Sequence, residues 1–258
     1  MLLGILLGNS TVRYGILDCT QVLVPGALAW GELETRAGEL ARLAVEFHAA
    51  EAVVGSVRDD LLPLLERSLP PHLLPATIAR RDFPLPIENR YERPEDAGTD
   101  RLLACIAARR RSDDAGAVVV DFGTAVSLSV VSPEGAFLGG PIAAGAASIA
   151  RGLGLCTPRL GTASHAAARG RSPDEFVPRT TVSAARAGVH WQVVGGVRAL
   201  LRGILESVPF RPRIIATGGE AEIFCERIPE IDEVVTYLVL EGLAIACASR
   251  PGRHGDQG

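Results

Sequence analysis

The chain has 258 residues, a formal net charge of −4 and a hydrophobic fraction of 47%. All 26 of its basic residues are arginine, because lysine does not occur anywhere in the sequence. This excludes a phosphate-binding loop that depends on lysine, and any lysine that forms a Schiff base. The small net charge and an aromatic fraction of 5% give no reason to expect a nucleic acid or an anionic membrane as partner.

In chain order, short apolar runs predict strands at residues 2–7, 14–17, 52–54, 118–120, 127–131 and 213–216. Longer segments with helical spacing lie between them, at residues 33–50, 59–69, 100–111, 181–207, 221–227 and 238–248. Strands that alternate with helices predict an α/β architecture. Residues 1–8 are apolar but lack a basic segment, so they are expected to form a buried strand and not a signal peptide.

The five cysteines are widely spaced, odd in number and contain no C-x-x-C pair. A disulfide framework or a zinc site is therefore not expected, and a reducing, cytoplasmic location is predicted. The uncharged stretch 135–150 contains Pro141, which argues against a membrane-spanning helix.

An internal similarity organises the chain. ILLGNSTVRYGIL at residues 5–17 and VVVDFGTAVSLSVV at residues 118–131 both read as a buried strand, a glycine turn with hydroxyl or amide side chains, and a second strand. The similarity predicts a duplicated domain with halves at 1–114 and 115–250, a hairpin turn of each half facing a shared central cleft, and a disordered tail at 251–258. Two such turns offer backbone N–H groups to phosphate without any lysine.

A third segment, IIATGGEAEIF at residues 214–224, runs from an apolar strand into a glycine pair and then a helical pattern. Such a turn lets a flat ligand lie against bare backbone at the start of a helix.

Six motifs occur in order: LLGNST at 6–11, GTDR at 98–101, DFGTA at 121–125, FLGGPIAAG at 137–145, TTV at 180–182 and ATGGEA at 216–221. This set resembles the type III pantothenate kinases, which belong to the sugar-kinase, Hsp70 and actin superfamily. The resemblance implies a duplicated ribonuclease-H-like fold and the phosphorylation of pantothenate by ATP, the first step of coenzyme A synthesis. It also implies a homodimer that uses Mg²⁺ and a monovalent cation, K⁺ or NH₄⁺.

The resemblance assigns roles residue by residue. It makes Asp100 the base that takes the proton of the pantothenate hydroxyl, a role that suits phosphoryl transfer. It gives substrate contacts to Tyr91, Gly98, Thr99, Arg101 and Thr181, the last from the partner subunit. It makes Asp121 the ligand of the monovalent cation. The implied ATP contacts are Gly8, Asn9, Ser10 and Thr11 in the first phosphate loop, Thr124 in the second, and Gly218 and Gly219 at the adenosine.

Local patterns leave other interpretations open. Asp100 and Thr181 each precede a helical segment and could be N-caps, Asp121 could stabilise a turn, and Tyr91 could be a packing residue.

The sequence departs from the family at Leu6, where the family has an aspartate that helps to hold the metal ion of the phosphates. Leucine cannot coordinate Mg²⁺, which requires oxygen ligands. Two hypotheses follow. The first is an active kinase whose metal is held by Asp121, by water and by the ATP phosphates. The second is a catalytically impaired paralogue that binds a nucleotide or a pantothenate-like ligand and acts as a regulatory protein.

Overall fold

A computed structural model describes residues 1–157, 160 and 175–250. The chain divides into two compact units. The first contains Met1–Asp114, Glu134–Leu138 and the chain from Tyr237 onward, and the second contains Ala115–Pro133 and Gly139–Thr236. The break after residue 114 is also the break between the sequence-predicted halves, but the chain from Tyr237 groups with the first unit. The tail expected at 251–258 lies outside the described residues.

The strands are β1 (Leu2–Leu7), β2 (Thr11–Asp18), β3 (Gln21–Ala29), β4 (Ala52–Ser56), β5 (Thr77–Ile78), β6 (Ala117–Phe122), β7 (Ala125–Val131), β8 (Phe137–Gly139), β9 (Ile142–Ala144), β10 (Arg213–Thr217) and β11 (Glu233–Val234). The helices are α1 (Leu33–Glu46), α2 (Leu62–Ser68), α3 (Thr99–Arg111), α4 (Ala146–Cys156), α5 (Thr181–Ser207), α6 (Ala221–Cys225) and α7 (Leu238–Ala248).

The sheet of the first unit has the strand order β3-β2-β1-β4-β5. Its central strand, β1, runs antiparallel to β2 and parallel to β4, and every residue of β1 is buried. A strand that is covered on both faces is apolar throughout, which explains why the β1 sequence does not alternate. In the same unit α7 packs so closely on α3 that a Cβ atom at Gly242 would overlap the Leu103 carbonyl. Glycine is therefore required where these helices meet.

In the second unit β11, β10, β6 and β7 are neighbours in that order, and β9 also pairs with β7. β6, β10 and β11 are parallel, so their carboxyl ends lie at one edge of the sheet, where Asp121 is the register partner of Thr217. Ligand loops of α/β proteins commonly follow the carboxyl ends of strands.

Sequence patterns predict the strand at 2–7 and the helices at 181–207 and 238–248 with the limits that the structure has. They do not predict β3, because it contains Pro25, Gly26 and a left-handed residue, Val24, at φ 46°. Such residues are tolerated in β3 because it is an edge strand, paired only with β2. The patterns also miss α4, whose sequence is rich in alanine and glycine. No described helix combines the length and the apolarity that crossing a bilayer requires.

Candidate active site

The turn between β1 and β2 carries the first predicted phosphate loop. Gly8 donates its N–H to the Thr11 carbonyl at 3.0 Å, which closes the turn. The indole Nε1 of Trp30 donates to the Gly8 carbonyl, also at 3.0 Å. Asn9 and Ser10 at the tip of the turn are exposed. The loop is thus fixed through its backbone, while the side chains at its tip remain accessible to a ligand.

The predicted substrate loop lies at the start of α3. Gly98 occupies the N-cap position without a side-chain cap, Thr99 is the first helical residue and Asp100 the second. The alternative that Asp100 is the N-cap is therefore wrong. The Asp100 carboxylate instead accepts the N–H of Arg101 through Oδ1 at 2.8 Å, and so satisfies one donor of the first turn. A Cβ atom at residue 98 would lie 2.5 Å from this oxygen, so a glycine leaves room for the carboxylate.

Burial is the strongest electrostatic influence on Asp100. Burial raises its pKa above the ordinary value, and this effect is opposed by the hydrogen bond from the Arg101 amide and by the charges of Arg101 and Arg13. A carboxylate with a raised pKa holds a proton more strongly, which suits general base catalysis near neutral pH.

Arg101 and Tyr91 form a pair beside Asp100. Nη1 of Arg101 donates to the Tyr91 hydroxyl at 2.7 Å, and the arginine is only 6% exposed. Tyr91 is half-buried and packs on the ring of Phe137, with the centroids 5.1 Å apart. The structure therefore brings Tyr91 together with the predicted loop residues 98–101. Tyr91 makes both a packing contact and a polar contact.

Leu6 lies near this loop, at the end of β1. It is 6% exposed, and its Cδ2 atom and the Cδ1 atom of Leu103 each lie 2.8 Å from the position of a Cβ at Gly55. Its antiparallel partner on β2 is Arg13. The position where the resemblance expects a metal-binding carboxylate is thus filled by hydrocarbon, with a cation as its neighbour across the strands.

In the second unit the predicted residues collect at the carboxyl edge of β6 and β10. Gly218 has a φ of 102°, and a Cβ atom there would lie 2.5 Å from Oδ1 of Asp121, so only glycine suits this position. The next residues, Gly219 and Glu220, lead into α6, and the Glu220 N–H donates to the Phe122 carbonyl at 3.2 Å. Burial raises the pKa of the Glu220 carboxyl, whose Oε2 has no hydrogen-bond partner among the described residues.

Thr124, in the turn between β6 and β7, is joined to the start of α4. Its carbonyl accepts the Gly145 N–H at 3.1 Å and the Ser148 hydroxyl at 2.6 Å. A side chain at Gly145 would overlap the Gly123 carbonyl, so α4 can approach the turn only through glycine. Local sequence patterns do not predict roles for Gly145 and Ser148, although Gly145 ends the FLGGPIAAG motif.

Thr181 is the first residue of α5 and is exposed. The alternative that Thr181 caps this helix is wrong, because Thr180 is the N-cap and accepts the Ser183 N–H on its side-chain oxygen at 3.2 Å. This leaves the Thr181 side chain available for a ligand.

The Mg²⁺ that the resemblance implies finds few protein ligands among the residues that the structure describes. Among residues 1–157, 160 and 175–250, no group of three or more His, Cys, Asp or Glu side chains is placed to hold a metal ion. Mg²⁺ is usually held by one or two carboxylates together with substrate phosphates and water. With Leu6 buried in hydrocarbon, the first loop does not fit a direct role in Mg²⁺ binding, whereas in the second unit the Asp121 carboxylate lies at the carboxyl end of β6.

Comparison with known proteins finds the same family that the sequence motifs resemble. A sequence model described as type III pantothenate kinase matches residues 2–203. A Nitratidesulfovibrio vulgaris protein named type III pantothenate kinase is 37% identical over 252 residues, which cover 93% of this chain and 94% of that protein.

Two solved structures show the fold. A Campylobacter jejuni protein assigned to the Baf family of transcriptional activators superposes with a TM-score of 0.58 at 21% identity, covering 94% of this chain and 95% of its own. A Porphyromonas gingivalis protein assigned as an N-acetylglucosamine kinase superposes with a TM-score of 0.51 at 14% identity, covering 96% and 99%. The predicted α/β fold of the sugar-kinase, Hsp70 and actin type is confirmed.

Proposed function

Since the chain belongs to the type III pantothenate kinase family, we propose that it transfers the γ-phosphoryl group of ATP to pantothenate. The products are 4′-phosphopantothenate and ADP, and the reaction is the first step of coenzyme A synthesis. The observation that carries this proposal is the environment of Asp100, a half-buried carboxylate of raised pKa at the start of α3, next to Arg101 and Tyr91.

In the proposed reaction the hydroxyl oxygen of pantothenate attacks the γ-phosphorus of ATP, and ADP leaves. Asp100 accepts the proton of that hydroxyl. The hydrogen bond from the Arg101 amide fixes one carboxylate oxygen, so the proton goes to a base whose orientation is already set. Arg101 and Tyr91 bind the substrate through their polar atoms, and Gly98 and Thr99 line the approach to the carboxylate. Phosphoryl transfer depends mainly on such positioning and on charge neutralisation.

ATP binds through the two hairpin turns and the glycine pair. Gly8, Asn9, Ser10 and Thr11 contact phosphate in the first turn, Thr124 does so in the second, and Gly218 and Gly219 lie against the adenosine. The Asp121 carboxylate would hold the monovalent cation, because K⁺ takes oxygen ligands and NH₄⁺ donates hydrogen bonds to oxygen atoms. Mg²⁺ bound to the phosphates of ATP supplies further charge neutralisation.

We also propose a cytoplasmic homodimer in which Thr181 contacts the substrate of the partner subunit. Support comes from exposed apolar side chains beside this residue in the sequence. Phe176 is 72% exposed, Val177 83% and Val182 41%, and exposed apolar groups of this kind favour protein contacts.

The test is direct. Purified protein with ATP, Mg²⁺ and either K⁺ or NH₄⁺ should convert pantothenate to 4′-phosphopantothenate, measured by mass spectrometry and by ADP release. Asp100→Asn should slow this conversion by about 10²-fold or more while leaving the binding of ATP in calorimetry unchanged. If the wild-type protein binds nucleotide and pantothenate but does not turn over, the kinase proposal fails and the regulatory alternative takes its place. Nothing in the family match or its relatives favours that alternative.

A further inference from the structure

Phe137 belongs to none of the predicted sites, yet it contacts two of their residues. It is fully buried and lies in the short segment Glu134–Leu138, which groups with the first unit. Its N–H donates to the Glu88 carbonyl at 2.8 Å, and its carbonyl accepts the Arg90 N–H at 3.0 Å. The backbone of Phe137 therefore holds the chain directly before Tyr91.

The ring of Phe137 also contacts the side chains of Tyr91 and Arg101. Its centroid is 5.1 Å from that of Tyr91, with an angle of 43° between the planes. The guanidinium carbon of Arg101 lies 5.2 Å from the Phe137 centroid and 5.8 Å from the Tyr91 centroid. The hydrogen bond of 2.7 Å between Arg101 and the Tyr91 hydroxyl closes a triangle of three side chains.

A triangle of this kind restricts the orientation of Arg101. An arginine side chain has many rotamers, and fixing one of them costs entropy that a preorganised site does not have to spend on ligand binding. A cation over the face of an aromatic ring is attracted by the ring, and the attraction grows when the pair is shielded from water. Arg101 is buried, so this condition holds.

We propose that Phe137 is a positioning residue of the substrate pocket, which acts by holding Arg101 and Tyr91 in the orientation that binds the substrate. The proposal rests on the proposed function for the identity of the substrate. Its physical content, the restraint of the Arg101 guanidinium by the Phe137 ring, stands without it.

The chain offers a matched control. Phe83 is also buried, at 8% exposed, and carries a guanidinium over its ring, that of Arg250 at 5.1 Å from the centroid. Both phenylalanines belong to the first unit. Phe137→Leu and Phe83→Leu therefore remove the same chemical group from comparable surroundings, and only the first change alters contacts of Arg101.

Phe137→Leu should raise the KM for pantothenate about tenfold, in line with the strength of a shielded cation–π contact, and leave kcat and the KM for ATP within about twofold. Phe83→Leu should leave all three within about twofold. In an Arg101→Met background the effect of Phe137→Leu on the KM for pantothenate should disappear, because residues that act through one another are not additive. An equal rise of KM in both leucine variants, or full additivity with Arg101→Met, would overturn the proposal.

A second measurement separates this proposal from the proposed function. With ¹⁵N-labelled arginine, the Nε–H resonance of Arg101, assigned by its loss in Arg101→Met, should be sharp and ring-shifted in the wild type and in Phe83→Leu. In Phe137→Leu it should broaden or move toward the position of exposed arginines. If the resonance is unchanged by Phe137→Leu, the positioning role is refuted. If it changes as expected while the wild type neither binds nor phosphorylates pantothenate, only the proposed function fails.

Discussion

Leu6→Asp tests how much the apolar packing at the end of β1 contributes to the stability of the protein. Leu6 is 6% exposed and meets Leu103 over Gly55. Truncation of a buried leucine costs about 2–5 kcal/mol. An opposite charge directly across two strands returns roughly 0.2–1 kcal/mol, and Arg13 is in that position. Burial of the carboxylate adds a desolvation cost, so the free energy of unfolding should fall by at least about 2–4 kcal/mol, which corresponds to roughly 4–16 °C in Tm for a chain of this size.

Leu6→Asn is the matched control, because asparagine has the size of aspartate without its charge. Thermal unfolding followed by circular dichroism should show both variants less stable than the wild type, and the difference between them measures the pairing of the aspartate with Arg13 against the desolvation cost of its charge. Kinase assays across a range of Mg²⁺ concentrations then isolate the effect of the carboxylate. If the missing ligand limits the rate, kcat/KM should be higher in Leu6→Asp than in Leu6→Asn, with half-saturation at less Mg²⁺. A Leu6→Asp variant as stable as the wild type would show that residue 6 is not packed in hydrocarbon.

Three further outcomes are expected. Asp100→Asn should reduce kcat by about 10²-fold or more without lowering Tm at pH 7, because burial raises the pKa of Asp100 and so penalises its charged form. Glu220→Gln should raise Tm more at pH 8 than at pH 4. The pKa of Glu220 is higher in the folded than in the unfolded protein, so the wild type loses stability as pH rises through that interval, and an equal gain at both pH values would contradict this. Gly242→Ala should destabilise by about 1–3 kcal/mol through overpacking against Leu103, whereas Gly203→Ala, with no atom within 4 Å of its new Cβ, should stabilise by roughly 0.5–1 kcal/mol. Urea denaturation of the two alanine variants measures both effects, and equal changes would refute the packing argument.

Much of the fold is accessible from the sequence because it depends on local pattern. The apolar run of β1 and the helical spacing of α5 and α7 predict these elements with the limits that the structure has. Each repeat also forms an antiparallel hairpin, β1–β2 in the first and β6–β7 in the second, as the internal similarity predicts. Periodicity and turn residues carry this information directly.

Contacts between distant segments cannot be predicted from periodicity and turn residues. Phe137 begins the FLGGPIAAG motif, but its contacts with residues 88–101 appear only after the chain is folded. The N-cap of α5 cannot be predicted from local pattern, because Thr180 and Thr181 are adjacent and both suit the position; the structure places Thr180 there. The roles of Asp100 and Asp121, which the resemblance implies, and the phosphate-binding role of the glycine turns stay predictions, because the position of a residue in the fold does not by itself show what it binds.

The packing of α7 on α3 links the order of synthesis to the folding of the first unit. α7 follows the entire second unit in the chain, yet it covers α3, and Arg111 of α3 pairs with Glu241 of α7 at 2.7 Å. During synthesis on a ribosome, the amino-terminal segment therefore emerges before α7 exists. The apolar side of α3 stays uncovered until residues 238–248 have been made. The second unit has its own strands and helices and can fold during that interval. The first unit to be translated is then the last to be completed, so chaperone dependence and sensitivity to truncation should concentrate in α3, the helix that carries Asp100 and Arg101.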